Sequence, residues 1–149
     1  MGNISASDVG KLRKQTGSGM MDCKKALVEA NGDFDLAVDI LRKKGQKVAA
    51  KRADRQAMEG VVIAKNNDAN SKAILISLNC ETDFVAKNED FIAIAQDILD
   101  TAVSADLSSA ESIHDLKLSN GMTVAEKVLE QTGVIGEKIE ISAHLIQDV

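Results

Sequence analysis

The spacing of apolar residues changes between positions 56 and 59, and this change limits what the chain can become more than any other feature. Before it, apolar residues recur at threes and fours, the pattern of helices that bury one face. After it come runs of branched residues bounded by Asn, Asp and Gly, the pattern of strands. Charge changes at the same place. Through Met58 there are twelve Lys and Arg against seven Asp and Glu, a net of +5; from Glu59 onward there are six against sixteen, a net of −10. The pattern implies two regions, a three-helix module with a basic linker helix over 1–55 and an α+β region over 56–149.

In the first region Ser5 is placed to cap a helix, with Asp8 as its reciprocal partner three residues on and Ile4 packing on Val9 as a staple. Leu12 continues the apolar stripe and Gly17 supplies the stop. Ser18 is expected to cap a second helix carrying Met20, Cys23, Leu27 and Ala30, which ends at Asn31-Gly32. Asp33 caps a third, with Phe34, Ala37, Val38 and Leu41 inward and Gly45 as its terminator. Three helices of about ten residues each make a bundle that is marginal for independent stability, so each apolar position is needed for its core. Met20 and Met21 are consecutive and about 100° apart on a helix. So small a core has room for one of them, and the other is expected at the surface, where Met serves as an adaptable contact.

Residues 43–55 carry Lys43, Lys44, Lys47, Lys51, Arg52 and Arg55. The stretch reads as a solvated linker helix or as an electrostatic contact with nucleic acid or an acidic surface. It holds no aromatic residue to stack on bases, and the chain as a whole is acidic at −5. Nucleic acid is therefore not the expected partner.

The second region opens with two strands, 60–65 and 72–79, around turn material at 66–71. A helix over 89–103, started by Asn88, puts Phe91, Ile94, Ala95, Ile98, Leu99 and Ala102 on one face, enough to cover the hairpin. A turn of helix is expected at 113–116. Thr123 caps a further helix, with Glu126 completing the box and Gly133 closing it, and 137–146 alternates as a third strand. The fold class is α+β, a helical bundle followed by a small antiparallel sheet with helices on one face.

Between the second strand and its following helix lies Thr82-Asp83-Phe84-Val85-Ala86-Lys87-Asn88. A strand-to-helix connection is exposed yet held at both ends, which suits a contact that must be aimed. Phe84 is one of three aromatics in a chain without Trp or Tyr. Residue types alone leave two fates open for it, burial in the core, the commoner one for Phe, or an apolar wedge beside a carboxylate.

Covalent chemistry finds little support. His114 and His144 have no Cys, Asp or Glu in ligand spacing, so no metal or cofactor is expected. Gly17-Ser18-Gly19 lacks the preceding strand and the lysine of a phosphate loop, and a turn explains it better. Cys23 and Cys80 are far apart without a CxxC or zinc pattern, which fits a reducing cytoplasm. No apolar stretch approaches the ~20 residues of a membrane span, and the segment at 1–5 lacks the layout of a signal peptide. The chain is read as a protein that acts by touching another protein.

Two long, ordered stretches carry a resemblance. Leu12-Arg13-Lys14-Gln15-Thr16-Gly17-Ser18-Gly19-Met20-Met21-Asp22-Cys23-Lys24-Lys25-Ala26-Leu27, extended by Glu29-Ala30-Asn31-Gly32-Asp33, closely resembles the N-terminal signature of the bacterial translation elongation factor Ts family. Asn79-Cys80-Glu81-Thr82-Asp83-Phe84-Val85-Ala86-Lys87-Asn88 resembles that family's second signature, and Gly136-Glu137-Lys138-Ile139 its pattern before a later strand. The resemblance implies a guanine nucleotide exchange factor that binds the GTPase elongation factor Tu and speeds GDP release. It implies a ubiquitin-associated-like N-terminal bundle that docks on the GTPase. It also implies an exchange loop of Thr82, Asp83, Phe84 and Val85, with Asp83 and Phe84 pushing between two helices near the GTPase's magnesium site. Leu12, Arg13, Met20, Met21 and Lys24 match positions of the docking face. The family continues further than this chain, which therefore reads as its N-terminal portion; oligomeric state is left open. The alternative is a non-catalytic binding module built on the bundle.

Overall fold

A computed structural model describes residues 3–147; Met1 and Gly2, at the head of the segment weighed as a signal, and Asp148 and Val149 lie outside the described residues. Contacts divide the chain into two compact units. One comprises residues 3–54 with Leu129–Glu137, the other Arg55–Val128 with residues 138–147. Among the described residues no helix is long and apolar enough to cross a membrane.

The helical unit starts with α1, Ala6–Thr16. Its capping box forms as its sequence implies: Ser5 Oγ accepts from the Asp8 N–H at 3.1 Å and the Asp8 carboxylate accepts from the Ser5 N–H at 3.2 Å. These bonds, the side-chain one first, hold the Asp8 carboxyl below its usual range. α2 spans Met20–Glu29 and α3 spans Phe34–Lys51, the latter capped by Asp33, whose side chain accepts from the Leu36 N–H at 3.1 Å. The link between them turns through Asn31 and Gly32, both left-handed. Val9, Leu12, Cys23, Ala26, Leu27, Ala30 and Ala37 form the core, with Ile4, Phe34, Val38, Ile40 and Leu41 packed against it.

Gly45 does not end α3. It is buried inside an 18-residue helix, and a Cβ there would stand 2.9 Å from the carbonyl oxygen of Leu129. Gly133 likewise does not close its helix. That helix, α6, spans Val124–Ile135, and a Cβ on Gly133 would lie 2.8 Å from the Gly45 Cα. Here the missing side chains let two helix backbones touch, and that packing outweighs the ~1 kcal/mol that glycine costs in a helix interior. α6 stops instead at Gly136, left-handed at φ 80°, whose N–H donates to the Thr132 carbonyl at 2.9 Å. Residues 129–137, read from the sequence as part of the sheet region, thus complete the helical unit.

The second unit is built on a three-stranded antiparallel sheet in the order β1-β2-β3, with β1 at Glu59–Asn66, β2 at Lys72–Cys80 and β3 at Glu140–Gln147. The third strand starts three residues later than its alternation implied, because Gly136 first turns the chain out of α6. Register places Val61, Leu78 and Ile141 in one row and Ile63, Ile76 and Ala143 in the next, on one face of the sheet. α5, Glu89–Ser104, buries Phe91, Ala95, Ile98, Leu99 and Ala102. Burying each of the larger ones is worth about 1.5–3 kcal/mol, so this layer supplies most of the unit's apolar stabilisation. A 3-10 turn, Glu111–Asp115, brings Ile113 into the same core, two residues earlier than expected. The architecture is α+β, helices at the N-terminus followed by an antiparallel sheet packed with helices.

Candidate functional site

β2 is the central strand, bonded on both sides, and ends at the fully buried Cys80. The chain then rises into α4, the four-residue turn Asp83–Ala86. A single helical turn is unstable alone, since it fixes three residues for each hydrogen bond gained. Here it is held from both sides. Thr82 caps it, its hydroxyl oxygen accepting from the Val85 N–H at 3.5 Å, while its carbonyl accepts from the Ala86 N–H at 3.3 Å. The same carbonyl accepts from the Cys80 thiol at 3.1 Å, which ties the cap to the end of the central strand. On the far side Asn88 caps α5, accepting from the Asp90 N–H at 2.9 Å and the Phe91 N–H at 3.4 Å.

The turn puts nothing of its own into the core. Thr82 and Val85 are half-buried, Asp83 is exposed, and Phe84 is 83% exposed. Of the two fates open to Phe84, the structure puts it in solvent. Asp83 pairs with Lys87 one helical turn on, Oδ2 to Nζ 3.2 Å. Both groups are well exposed, so the pair contributes little stability and remains available to a partner. Beneath the turn, Arg55 Nε lies 3.9 Å from Glu81 Oε1, and the Arg55 carbonyl accepts from Lys138 Nζ at 3.1 Å.

In the helical unit the second group of residues behaves less uniformly. Arg13, Met20, Met21 and Lys24 are exposed, but Leu12 has no exposed surface and is a core residue that can support a docking face only from behind. Met20 is 52% and Met21 62% exposed, so both Met side chains face solvent where one was expected to point inward. Cys23, Ala26 and Leu27 already fill the inward side of α2, leaving no volume for a Met. Ser18 is not the cap of α2; Gly19 occupies that position and gives no side-chain bond. Ser18 is buried instead, its N–H donating to Thr16 Oγ1 at 3.3 Å and its carbonyl accepting from the Cys23 thiol at 3.6 Å. These bonds, with Thr16 Oγ1 donating to the Leu12 carbonyl at 2.8 Å, set the Gly-Ser-Gly corner that presents the two Met residues. Burial pushes the Cys23 thiol up, so it stays protonated and serves as a donor here.

Among the described residues no group of three or more His, Cys, Asp or Glu could hold a metal ion. Both cysteines are buried thiols. Sequence reasoning passed over Met58, 81% exposed just before β1; a large apolar residue flanked by Ala57 and Glu59 at a strand start was the available signal.

Comparison with known proteins agrees over nearly the whole chain. Residues 81–147, which include the exposed turn, match the family described as Elongation factor TS. Elongation factor Ts of Christiangramia forsetii is 61% identical over 144 residues, covering 96% of this chain and 51% of the relative. Over nearly its whole length the chain is similar to the elongation factor Ts family. Elongation factor Ts of Flavobacterium johnsoniae is 57% identical over 146 residues, 98% of this chain and 45% of its own length. That of Rhodopirellula baltica is 55% identical over 142 residues, with 95% and 43% covered. The chain thus spans about half the length of the curated relatives it matches.

Proposed function

We propose that this chain acts in translation elongation, in the cytoplasm, by binding the GTPase elongation factor Tu and promoting release of its GDP. The activity makes and breaks no covalent bond and needs no cofactor. Thr82, Asp83, Phe84 and Val85 form the exchange element; Arg13, Met20, Met21 and Lys24, backed by Leu12, form the docking face. The observation that carries this reading is the exposure of Phe84 on a turn capped at both ends. A side chain that gains nothing from its own fold, on a backbone that is fixed, is suited to spend its burial on a partner.

Magnitudes shape the mechanism. A thousandfold faster release requires weakening the nucleotide by about 4 kcal/mol. Burial of one Phe yields about 1.5–3 kcal/mol, so Phe84 acts together with other contacts. Phe84 enters between two helices of the GTPase near its magnesium site, while Asp83, free to exchange Lys87 for a backbone donor of the partner, holds the displaced segment. By reciprocity GDP weakens the grip of this chain on the GTPase by the same factor.

The test is stopped-flow release of a fluorescent GDP analogue from elongation factor Tu with this 149-residue chain. Phe84→Ala is expected to lower the maximal release rate by at least about tenfold, a loss near 1.4 kcal/mol, with a smaller loss of affinity. Equal losses in both would reduce Phe84 to part of a docking surface. Binding without acceleration by the unaltered chain would reject exchange by this chain and leave a binding module.

A further inference from the structure

Phe84 is not the only large apolar side chain left in water at that end of the sheet. Among the exposed large hydrophobics Phe84 at 83% and Met58 at 81% stand apart, with Met21 next at 62%. We infer that Met58 is a second apolar contact of the exchange site, meeting the GTPase beside Phe84; the inference rests on the function proposed above.

Strand register brings the two together. Glu59 pairs with Cys80, so Met58 stands at the sheet end where β2 leaves for the Phe84 turn, and α4 itself packs against β1 as well as β2. Met58 also sits on a restrained backbone. Glu59 after it is in the ladder, and Arg55 before it is tied through its carbonyl to Lys138 and through its guanidinium to Glu81. An exposed Met beside a fixed strand end loses little backbone freedom when a partner covers it. Val62, four residues further on within β1 and 61% exposed, lies further from the turn.

The two side chains suit different tasks. Phe is rigid and flat, a shape that separates packed helices. Met has an unbranched, polarisable side chain that adapts to an apolar surface without displacing it. A GTPase surface that admits Phe84 between two helices is apolar at the mouth of that gap, and Met58 would lie on its rim. Its contact is then made equally before and after GDP leaves. Such uniform binding changes the concentration of chain needed, not the maximal rate.

The test titrates the full chain against elongation factor Tu loaded with a fluorescent GDP analogue, reading both the maximal release rate and the half-saturating concentration. Met58→Ala is expected to raise the half-saturating concentration about 3- to 10-fold, and Met58→Lys more, with the maximal rate within about twofold of the unaltered chain. Val62→Ala should change neither, and thermal unfolding midpoints should coincide, since an exposed Met supports no core. Normal exchange by the unaltered chain, with both Met58 variants indistinguishable from it, overturns the inference and leaves the proposed function standing. A fall in maximal rate at unchanged half-saturation also overturns it, by making Met58 part of the moving element. If the unaltered chain binds without accelerating release, the dissociation constant replaces half-saturation as the readout, and a matching rise for Met58→Ala supports the contact. If it does not bind at all, both readings fall. Sedimentation of Met58→Lys alone completes the set: a change in the chain's own association would assign Met58 to contact between copies and overturn the inference.

Discussion

The two surfaces that display apolar residues are built in opposite ways. Met20 and Met21 stand on α2, whose other side contributes Cys23, Ala26 and Leu27 to the bundle core. Phe84 stands on a four-residue turn with no buried residue of its own, fixed by the Thr82 cap, the Cys80 thiol and the start of α5. The first display surface is the outside of a cored element and is as stable as its unit. The second borrows its order from its neighbours, so it can be disturbed without unfolding anything else. Under the function proposed above, the docking face profits from the first arrangement, and the exchange element profits from being fixed at its base while free at its tip.

The difference predicts how each surface breaks. Leu27→Ala removes a fully buried side chain from a core of seven small and medium residues and should cost about 2–5 kcal/mol, enough to unfold much of the helical unit. Denaturant unfolding followed by circular dichroism would show a lost or separated transition, with the sheet unit retained. A single unchanged transition would mean that the two units do not differ in this way.

Gly45→Ala sharpens the point with a test of sign. On propensity alone the change should stabilise α3 by ~1 kcal/mol. With Leu129 O at 2.9 Å from the new Cβ, a net loss of about 1–3 kcal/mol is expected instead. A gain in thermal midpoint would remove the close helix contact from the account of the unit.

Thr82→Ala carries the smallest effect on stability and the most local one. Loss of the cap costs about 1 kcal/mol, confined to the turn. Maximal nucleotide release is expected to fall about fivefold by that same 1 kcal/mol while the global unfolding midpoint hardly moves. A drop in midpoint comparable to that of Leu27→Ala would show that the turn is a structural member and not a borrowed one.

Much of the fold was legible because local chemistry decides it. Ser5, Asp33, Asn88 and Thr123 each announce a cap by residue type, and each side chain accepts the expected backbone N–H. The hairpin and the buried face of α5 follow from periods of two and 3.6, since an element that must bury one face has to place its apolar residues at that spacing. The turn at 82–85 was singled out by its position between strand and helix, and by its likeness to a family signature.

What sequence alone determined, then, is which stretches form the main helices and strands, which positions on most of them turn inward, and which stretch merits a functional test. The tertiary structure decided whatever depended on residues far apart in the chain. Gly45 and Gly133 look like helix ends until each is seen to fill the space that a side chain on the other would need. Met20 and Met21 both face outward because Cys23, Ala26 and Leu27 had already closed the core. Phe84 and Met58, 26 positions apart, share one end of the sheet only because strand register pairs Glu59 with Cys80. Local propensity acts over a few residues, whereas volume and register belong to pairs of distant ones, and only the folded chain makes those pairs.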